Sequence, residues 1–173
     1  MLESAVNTII GQSLAWHFKW PDGPHLKAPI CFDGTGIYKP AEGNGIPVYW
    51  EAKNLKKPSS FSFKDLQPHQ IANLKRIQEL APQTICLFLI CVDYGRADKR
   101  IFVFKDMAYC DLRKGECRNI LKKEFDKRKN FVRIQKDRIN FDEIVNMPKD
   151  WEYTEEDKCN MNLDATSVNE TSK

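Results

Sequence analysis

Asp33-Gly34-Thr35-Gly36-Ile37-Tyr38-Lys39 and, after the turn Pro40-Ala41-Glu42-Gly43-Asn44-Gly45, Ile46-Pro47-Val48-Tyr49-Trp50-Glu51-Ala52-Lys53 form the stretch from which the fold is read. Three extended runs, Ala28 to Asp33, Gly36 to Lys39 and Ile46 to Lys53, bracket turn-forming residues and predict a short antiparallel meander. Residues two apart on a strand project from the same face, so Glu51 and Lys53 stand side by side, and strands that pair back bring Asp33 near them. Two carboxylates and an ammonium on one half-buried surface are costly to desolvate without compensation. A hard cation balances the charge: Asp33, Glu51 and the Ala52 carbonyl offer the oxygen ligands that Mg²⁺ prefers, with waters completing its shell. Lys53 is then placed to orient or help deprotonate a water attacking a phosphodiester, while the cation stabilises charge on the phosphate and the leaving 3′ oxygen. The plainer reading makes Glu51 and Lys53 ordinary outward strand residues and Asp33 a turn residue. The triplet by itself favours that one.

Upstream, Leu2, Ala5, Val6, Ile9, Ile10 and Leu14 recur at helical spacing, predicting an amphipathic helix that runs toward Trp16 or Trp20 and stops at Pro21-Asp22-Gly23-Pro24. Downstream, Pro68 sits where a first helical turn tolerates proline, and Ile71, Leu74, Ile77 and Leu80 give one apolar face before Pro82. Gln83 to Asp93 is apolar almost throughout, as expected of a central strand covered on both faces, with a partner strand at Arg100 to Phe104. Helical patterns follow at Lys105 to Leu112 and Cys117 to Lys127, a strand at Phe131 to Ile134, and a last helix from Asn140. Helix, meander, helix and strand in this order predict an α/β sheet flanked by helices.

At 173 residues the chain is the size of one domain, able to bury roughly two-thirds of its unfolded surface without staples. No apolar run is long enough for a bilayer, and Glu3 stands where a signal peptide needs positive charge, so the expectation is a cytoplasmic protein with no membrane contact. The six cysteines show no C-x-x-C pair or zinc spacing and are expected to be buried small hydrophobes. Charge is uneven: Arg113 to Arg138 holds 11 Lys and Arg against 4 Asp and Glu, whereas Ile139 to Lys173 holds 3 against 9. The basic block suits phosphate or is a solvated helix face. Residues 1–153 are read as one domain, and 154–173 as an acidic tail unable to repay the entropy of ordering. For Trp16, Phe18 and Trp20 core packing is the expected use, with base stacking the sharper alternative.

The motifs Asp33-Gly34-x-Gly36-Ile37-Tyr38-Lys39, Tyr49-Trp50-Glu51-Ala52-Lys53-Asn54 and Leu66-Gln67-Pro68-His69-Gln70 resemble the PD-(D/E)xK nuclease superfamily and, more narrowly, the RecU-type Holliday-junction resolvases. Leu2-Glu3-x-x-Val6-Asn7 is similar to the first-helix motif of that family. The resemblance spans Glu3 to Asp93 and implies a restriction-endonuclease-like core, a mixed central sheet flanked by helices. It further implies Asp33 and Glu51 as metal ligands, Lys53 as the catalytic lysine, Glu3 as an outer metal-site carboxylate and Gln70 as a helix residue that positions water or substrate. The implied cofactor is Mg²⁺, with Mn²⁺ able to substitute, and the implied partner is DNA, branched for a resolvase and cut by a homodimer. Lys27, Lys56 and Lys57 border the site and are candidate phosphate contacts.

Three readings stand: a structure-selective DNA endonuclease, a nicking or restriction-type relative cutting ordinary duplex, and a catalytically silent nucleic-acid-binding module. The composition of residues 154–173 generates one expectation directly. Truncation after Tyr153 should shift the melting temperature by no more than about 2 °C and leave DNA cleavage intact, since an unpacked tail contributes little to either. A larger fall in either readout would show that the tail packs or acts.

Overall fold

Ile85–Asp93 (β4) is the middle of the molecule. Cys86, Phe88, Ile90 and Val92 face one apolar layer and Leu87, Leu89 and Cys91 the other, so the strand is buried on both sides as its unbroken apolar run requires. The computed structural model describes residues 2–19, 32–115 and 119–149, apart from the side chains of residues 2–4, 19, 65 and 68. The expected tail lies outside the described residues, as do the run from residue 28 to 31 and Cys31, Cys117 and Cys159.

Around β4 the order is α1 (Leu2–Gln12), β1 (Trp16–Lys19), β2 (Gly34–Tyr38), β3 (Ile46–Leu55), a 3₁₀ turn at Phe63–Asp65 and α2 (Pro68–Leu80). After β4 come β5 (Lys99–Phe104), α3 (Met107–Gly115), α4 (Lys122–Lys127), β6 (Phe131–Arg133) and α5 (Phe141–Asn146). The sheet has six strands in sequence order, all antiparallel neighbours except β3 and β4, which α2 connects in parallel. The result is a mixed sheet with helices on both faces, consistent with the restriction-endonuclease-like core. Ile71 and Leu74 of α2, with Met107, Tyr109 and Cys110 of α3, cover one face. Val6 and Ile10 of α1, with Phe141 and Ile144 of α5, cover the other. Among the described residues no helix is long and apolar enough to cross a membrane.

The first expected helix is shorter than its periodicity indicated. It ends at Gln12, the Ser13 hydroxyl turns back onto the Ile9 carbonyl at 2.9 Å, and Trp16-His17-Phe18-Lys19 forms an edge strand. Gly11 permits this turn, because a Cβ there would lie 2.5 Å from the His17 ring. The meander therefore starts from Trp16–Lys19. The expected core role for two aromatics also fails, since Trp16 is 55% and Phe18 45% exposed. On this edge strand the intervening His17 turns its ring toward Gly11 of α1. The helix expected from Cys117 begins only at Lys122, Ile120 pairing with Phe61 in a short bridge instead, and Phe32 and Asp33 of the expected first run lie outside any strand. The other described elements fall within a few residues of expectation, with Asn140 capping α5 by accepting from the Asp142 N–H at 3.0 Å.

Cys86, Cys91 and Cys110 are buried, and burial pushes the Cys86 and Cys91 thiols up to about 11, so both behave as small hydrophobes. Leu74 ties α2 to the face of β4 and is fully buried. Leu74→Ala should cost about 2–5 kcal/mol in urea unfolding, the range for an aliphatic truncation in a filled core. A loss below about 1 kcal/mol would mean that α2 is not seated on the sheet as described.

Candidate functional site

Strand alternation and register assemble the site. On β3, Val48, Trp50 and Ala52 point into the layer under α1, so Tyr49, Glu51 and Lys53 point toward α2. Glu51 lies opposite Phe88 and Lys53 opposite Ile90 on β4. On the other side Gly34 pairs with Trp50, which brings Asp33 level with Glu51. The Asp33 N–H donates to the Trp50 carbonyl at 3.0 Å, and its Oδ2 accepts the Ala52 N–H at 2.9 Å. Asp33 is thus fixed to the backbone of β3 at both ends of the residue, in the gap between Glu51 and Lys53.

Glu51 is 0% exposed, and a buried carboxylate persists only with compensation. Lys53 Nζ lies 2.7 Å from Glu51 Oε1, and Gln70 Nε2 donates to the same oxygen at 2.5 Å. Gln70 reaches the site because α2 starts at Pro68. Its own Oε1 accepts the Gln67 N–H at 3.0 Å, so one amide caps the helix and grips the carboxylate. The N-cap position of α2 belongs to Gln67.

Asp33, Glu51, Lys53 and Gln70 are therefore brought together. Glu3 lies in the first turn of α1, which packs on the opposite face of the sheet, and its side chain is outside the described residues. Lys27 is also outside them. Lys56 and Lys57 are exposed in the loop that leaves β3, close along the chain to Lys53. The expected basic block separates into two populations. The Arg113 side chain is 4% exposed, donating to the Asn119 carbonyl at 2.7 Å and to Glu124 at 3.1 Å. The Arg128 side chain is 7% exposed and donates to the Tyr109 hydroxyl at 2.6 Å. These two arginines hold α3 and α4 together and are not surface phosphate contacts. Lys114 is half-buried against the Leu66 carbonyl at 2.8 Å, and desolvation holds its pKa below the usual lysine range. Lys122, Lys123, Lys127 and Lys129 remain on the surface.

Among the described residues no three His, Cys, Asp or Glu side chains converge. Two carboxylates and a backbone carbonyl suit Mg²⁺, which takes one or two carboxylates and keeps several waters. The Ala52 carbonyl projects to the same strand edge as its N–H, and that edge is where Asp33 sits.

One supporting group was not identifiable as such in the sequence. Trp50 is fully buried beneath Asp33 and Glu51, its Nε1 donating to Oδ1 of buried Asn7 at 3.0 Å. A Cβ on Gly34 would lie 2.2 Å from Trp50 Cζ2, so the glycine after Asp33 is the only residue that lets β2 close over this indole. Asn7 stands in the quoted first-helix motif, but nothing in the spacing links it to position 50. Asn7→Leu should cost about 1–3 kcal/mol by stranding a buried indole N–H, and Asn7→Leu with Trp50→Phe should recover part of that loss. Strict additivity in a double-mutant cycle would show that the pair is not coupled.

The family model described as Recombination protein U, RecU, matches residues 26–147, which takes in Asp33, Glu51, Lys53 and Gln70. No curated protein matches the chain.

Proposed function

The chain belongs to the recombination protein U family, and from that premise we propose that it is a divalent-metal-dependent DNA endonuclease, structure-selective in the manner of a Holliday-junction resolvase. The observation that carries the reading is the placement of Asp33 on the Ala52 N–H beside a fully buried Glu51 bonded to Lys53 and Gln70. A structural ion pair does not need a second carboxylate pinned next to it. A site for phosphodiester hydrolysis does.

Asp33, Glu51 and the Ala52 carbonyl would hold the cation, with Mg²⁺ the best match and Mn²⁺ able to replace it. When bound it polarises the phosphate and lowers the pKa of water. The chain's own residues do the rest. Without a cation, the Lys53 ammonium neutralises Glu51 at 2.7 Å. With a dication held by Glu51, Lys53 would orient the attacking water as an ammonium donor and, as the neutral amine after losing its proton to solvent, accept the proton of that water. Gln70 keeps the Glu51 carboxylate in one rotamer, anchored through the Gln67 cap. Glu3 is proposed as the outer carboxylate, and Lys27, Lys56 and Lys57 as contacts for flanking phosphates. Symmetric incision of a junction needs two sites facing two strands, so the proposed assembly is a C2 homodimer.

Cleavage of four-way, flap, nicked and plain duplex DNA across a Mg²⁺ titration separates this from a duplex-cutting relative and from a silent binding module. Asp33→Ala, Glu51→Gln and Lys53→Ala should each lower the cleavage rate by roughly 10²–10⁴-fold, as expected for loss of a charge-stabilising or proton-transferring group. The two carboxylate changes should also weaken Mg²⁺ binding in calorimetry. Lys53→Ala should strengthen it, because a competing cation leaves Glu51. Metal-dependent cleavage at the wild-type rate in Glu51→Gln or Lys53→Ala would overturn the assignment of the chemistry to these residues, and DNA binding without cleavage in the wild type would leave the silent module.

A further inference from the structure

The end of the sheet at which β3 leaves the site is closed by two hairpins. Leu55 pairs with Val92, Asp93 with Lys99 and Arg100 with Arg133, so the turn from β4 to β5 and the turn that follows β6 lie at that same end, with Lys56 and Lys57. Both turns are tight. The Asp98 N–H donates to the Gly95 carbonyl at 2.8 Å around Arg96 and Ala97, and the Arg138 N–H donates to the Gln135 carbonyl at 3.0 Å around Lys136 and Asp137. Among the described residues these four are the non-glycine positions with positive φ, at 47°, 64°, 50° and 58°. A mirrored two-residue turn favours asparagine and glycine, because a Cβ resists this backbone conformation. Each tip instead carries a long exposed cation, Arg96 or Lys136. Turn chemistry gives no reason for them, whereas presenting a charge on a rigid tip does.

The acids nearby are mostly engaged within the hairpins. Asp98 takes paired bonds from Arg100, at 3.1 and 2.6 Å, and lies 3.5 Å from Arg133, while Asp93 accepts the Gly95 N–H at 2.8 Å. Arg133 and Arg138 line one cavity of about 300 Å³ with Gln135, Asn140 and Glu143. Against four exposed cations, Arg96, Arg133, Lys136 and Arg138, the hairpins and this cavity expose two acids, Asp137 and Glu143. Lys53 shares a row of the sheet with Ile90, Phe102 and Phe131. Lys136 is three strands across from it and five residues on, about 20 Å. At a rise of about 3.4 Å that is roughly six base pairs of duplex. A short acidic peptide would meet one end of such a line, whereas a duplex touches the carboxylate site and the tips at once.

We propose that the two hairpin tips, Arg96 and Lys136 with Arg133 and Arg138 beside them, form a second phosphate-contacting surface that grips a duplex arm about six base pairs from the incised bond. The identity of the ligand rests on the nuclease reading above. Arginine forks and an ammonium meet phosphate oxygens whatever the base sequence, so this surface orients an arm and carries no sequence preference. Its reach sets a minimum arm length for full affinity, a property separate from the chemistry at Asp33, Glu51 and Lys53.

The test uses the full chain in Ca²⁺, to hold substrate without turnover, and four-way junctions whose arms extend about twelve or about four base pairs from the incised bond, either side of the reach of the tips. Asparagine enters the left-handed region readily, so Arg96→Asn with Lys136→Asn should keep or raise the melting temperature while removing two charges. On long arms the log–log salt slope of binding should fall by about 0.9 for each contact, about 1.8 for the pair, and on short arms the variant should match wild type. Arg138→Gln, at an ordinary backbone position, should lower the slope by about 0.9, and Arg96→Lys should keep it. In Mg²⁺ the double variant should raise KM on long arms and leave kcat unchanged. A wild-type slope in the double variant on long arms overturns the proposal, as does an equal loss on long and short arms, which would make the charges a diffuse field. A fall from dimer to monomer in sedimentation would overturn it in favour of contact between copies. Its failure is separable from that of the nuclease reading. A wild-type chain that shows the arm-length effect without metal-dependent cleavage sinks the catalytic assignment alone, and a double variant that binds and cuts long-armed junctions as wild type does sinks the second surface alone.

Discussion

A carboxylate with no exposed surface sits on the central sheet, and most of the architecture around it serves to keep it there. Glu51 shares its side of β3 with Tyr49 and its register with Phe88. Isolated in such surroundings, its charge would cost several kcal/mol even after relaxation. Lys53 supplies the opposite charge from two residues away and Gln70 a hydrogen bond from α2. The second bond couples the carboxylate to the start of a helix. Because Gln70 also accepts the Gln67 N–H, moving the N-terminus of α2 would disturb Glu51, and neutralising Glu51 would loosen the helix cap.

The layer beneath is equally specific. Asn7, Trp50 and Gly34 belong to α1, β3 and β2, and they meet in one contact that sets how closely β2 approaches β3. That approach positions Asp33, whose carboxylate takes the Ala52 N–H in place of a further strand residue. The sheet thus ends its regular pairing at the point where a cation site requires oxygen atoms. A ladder bond is exchanged for a side-chain bond, and the carboxylate gains a fixed direction.

Charge elsewhere follows burial more than composition. A run of basic residues between Arg113 and Arg138 looks like one electrostatic surface in the sequence. In the fold Arg113 and Arg128 turn inward onto Glu124, Tyr109 and the Phe104 ring, while Arg133 and Arg138 stay exposed with the surface lysines. Arginine's planar guanidinium tolerates burial with ring and carboxylate partners, while the more strongly hydrated ammonium of lysine stays in water.

Alternation and apolar runs carried the sequence reading a long way. The apolar run from Gln83 to Asp93 reads as a strand covered on both faces, and Pro68 with the Ile71, Leu74, Ile77 and Leu80 stripe as a helix seated on one, although Leu80 at its end is 75% exposed. The pairing of Glu51 with Lys53 follows from the two-residue period, and Gln70 entered through the quoted motif. What local pattern left open depends on contacts between distant segments. Leu14 and Trp16 continue the helical stripe of α1, yet the chain turns at Ser13, because an edge strand pairing with β2 gains ladder hydrogen bonds that a longer helix would not. Asn7 under Trp50, the close approach over Gly34 and the inward arginines are likewise decided by packing, since periodicity places a side chain on a face but does not say what stands opposite it. The same holds for Trp16 and Phe18. Their sequence reads as core, and only the position of β1 at the rim of the sheet leaves them 55% and 45% exposed.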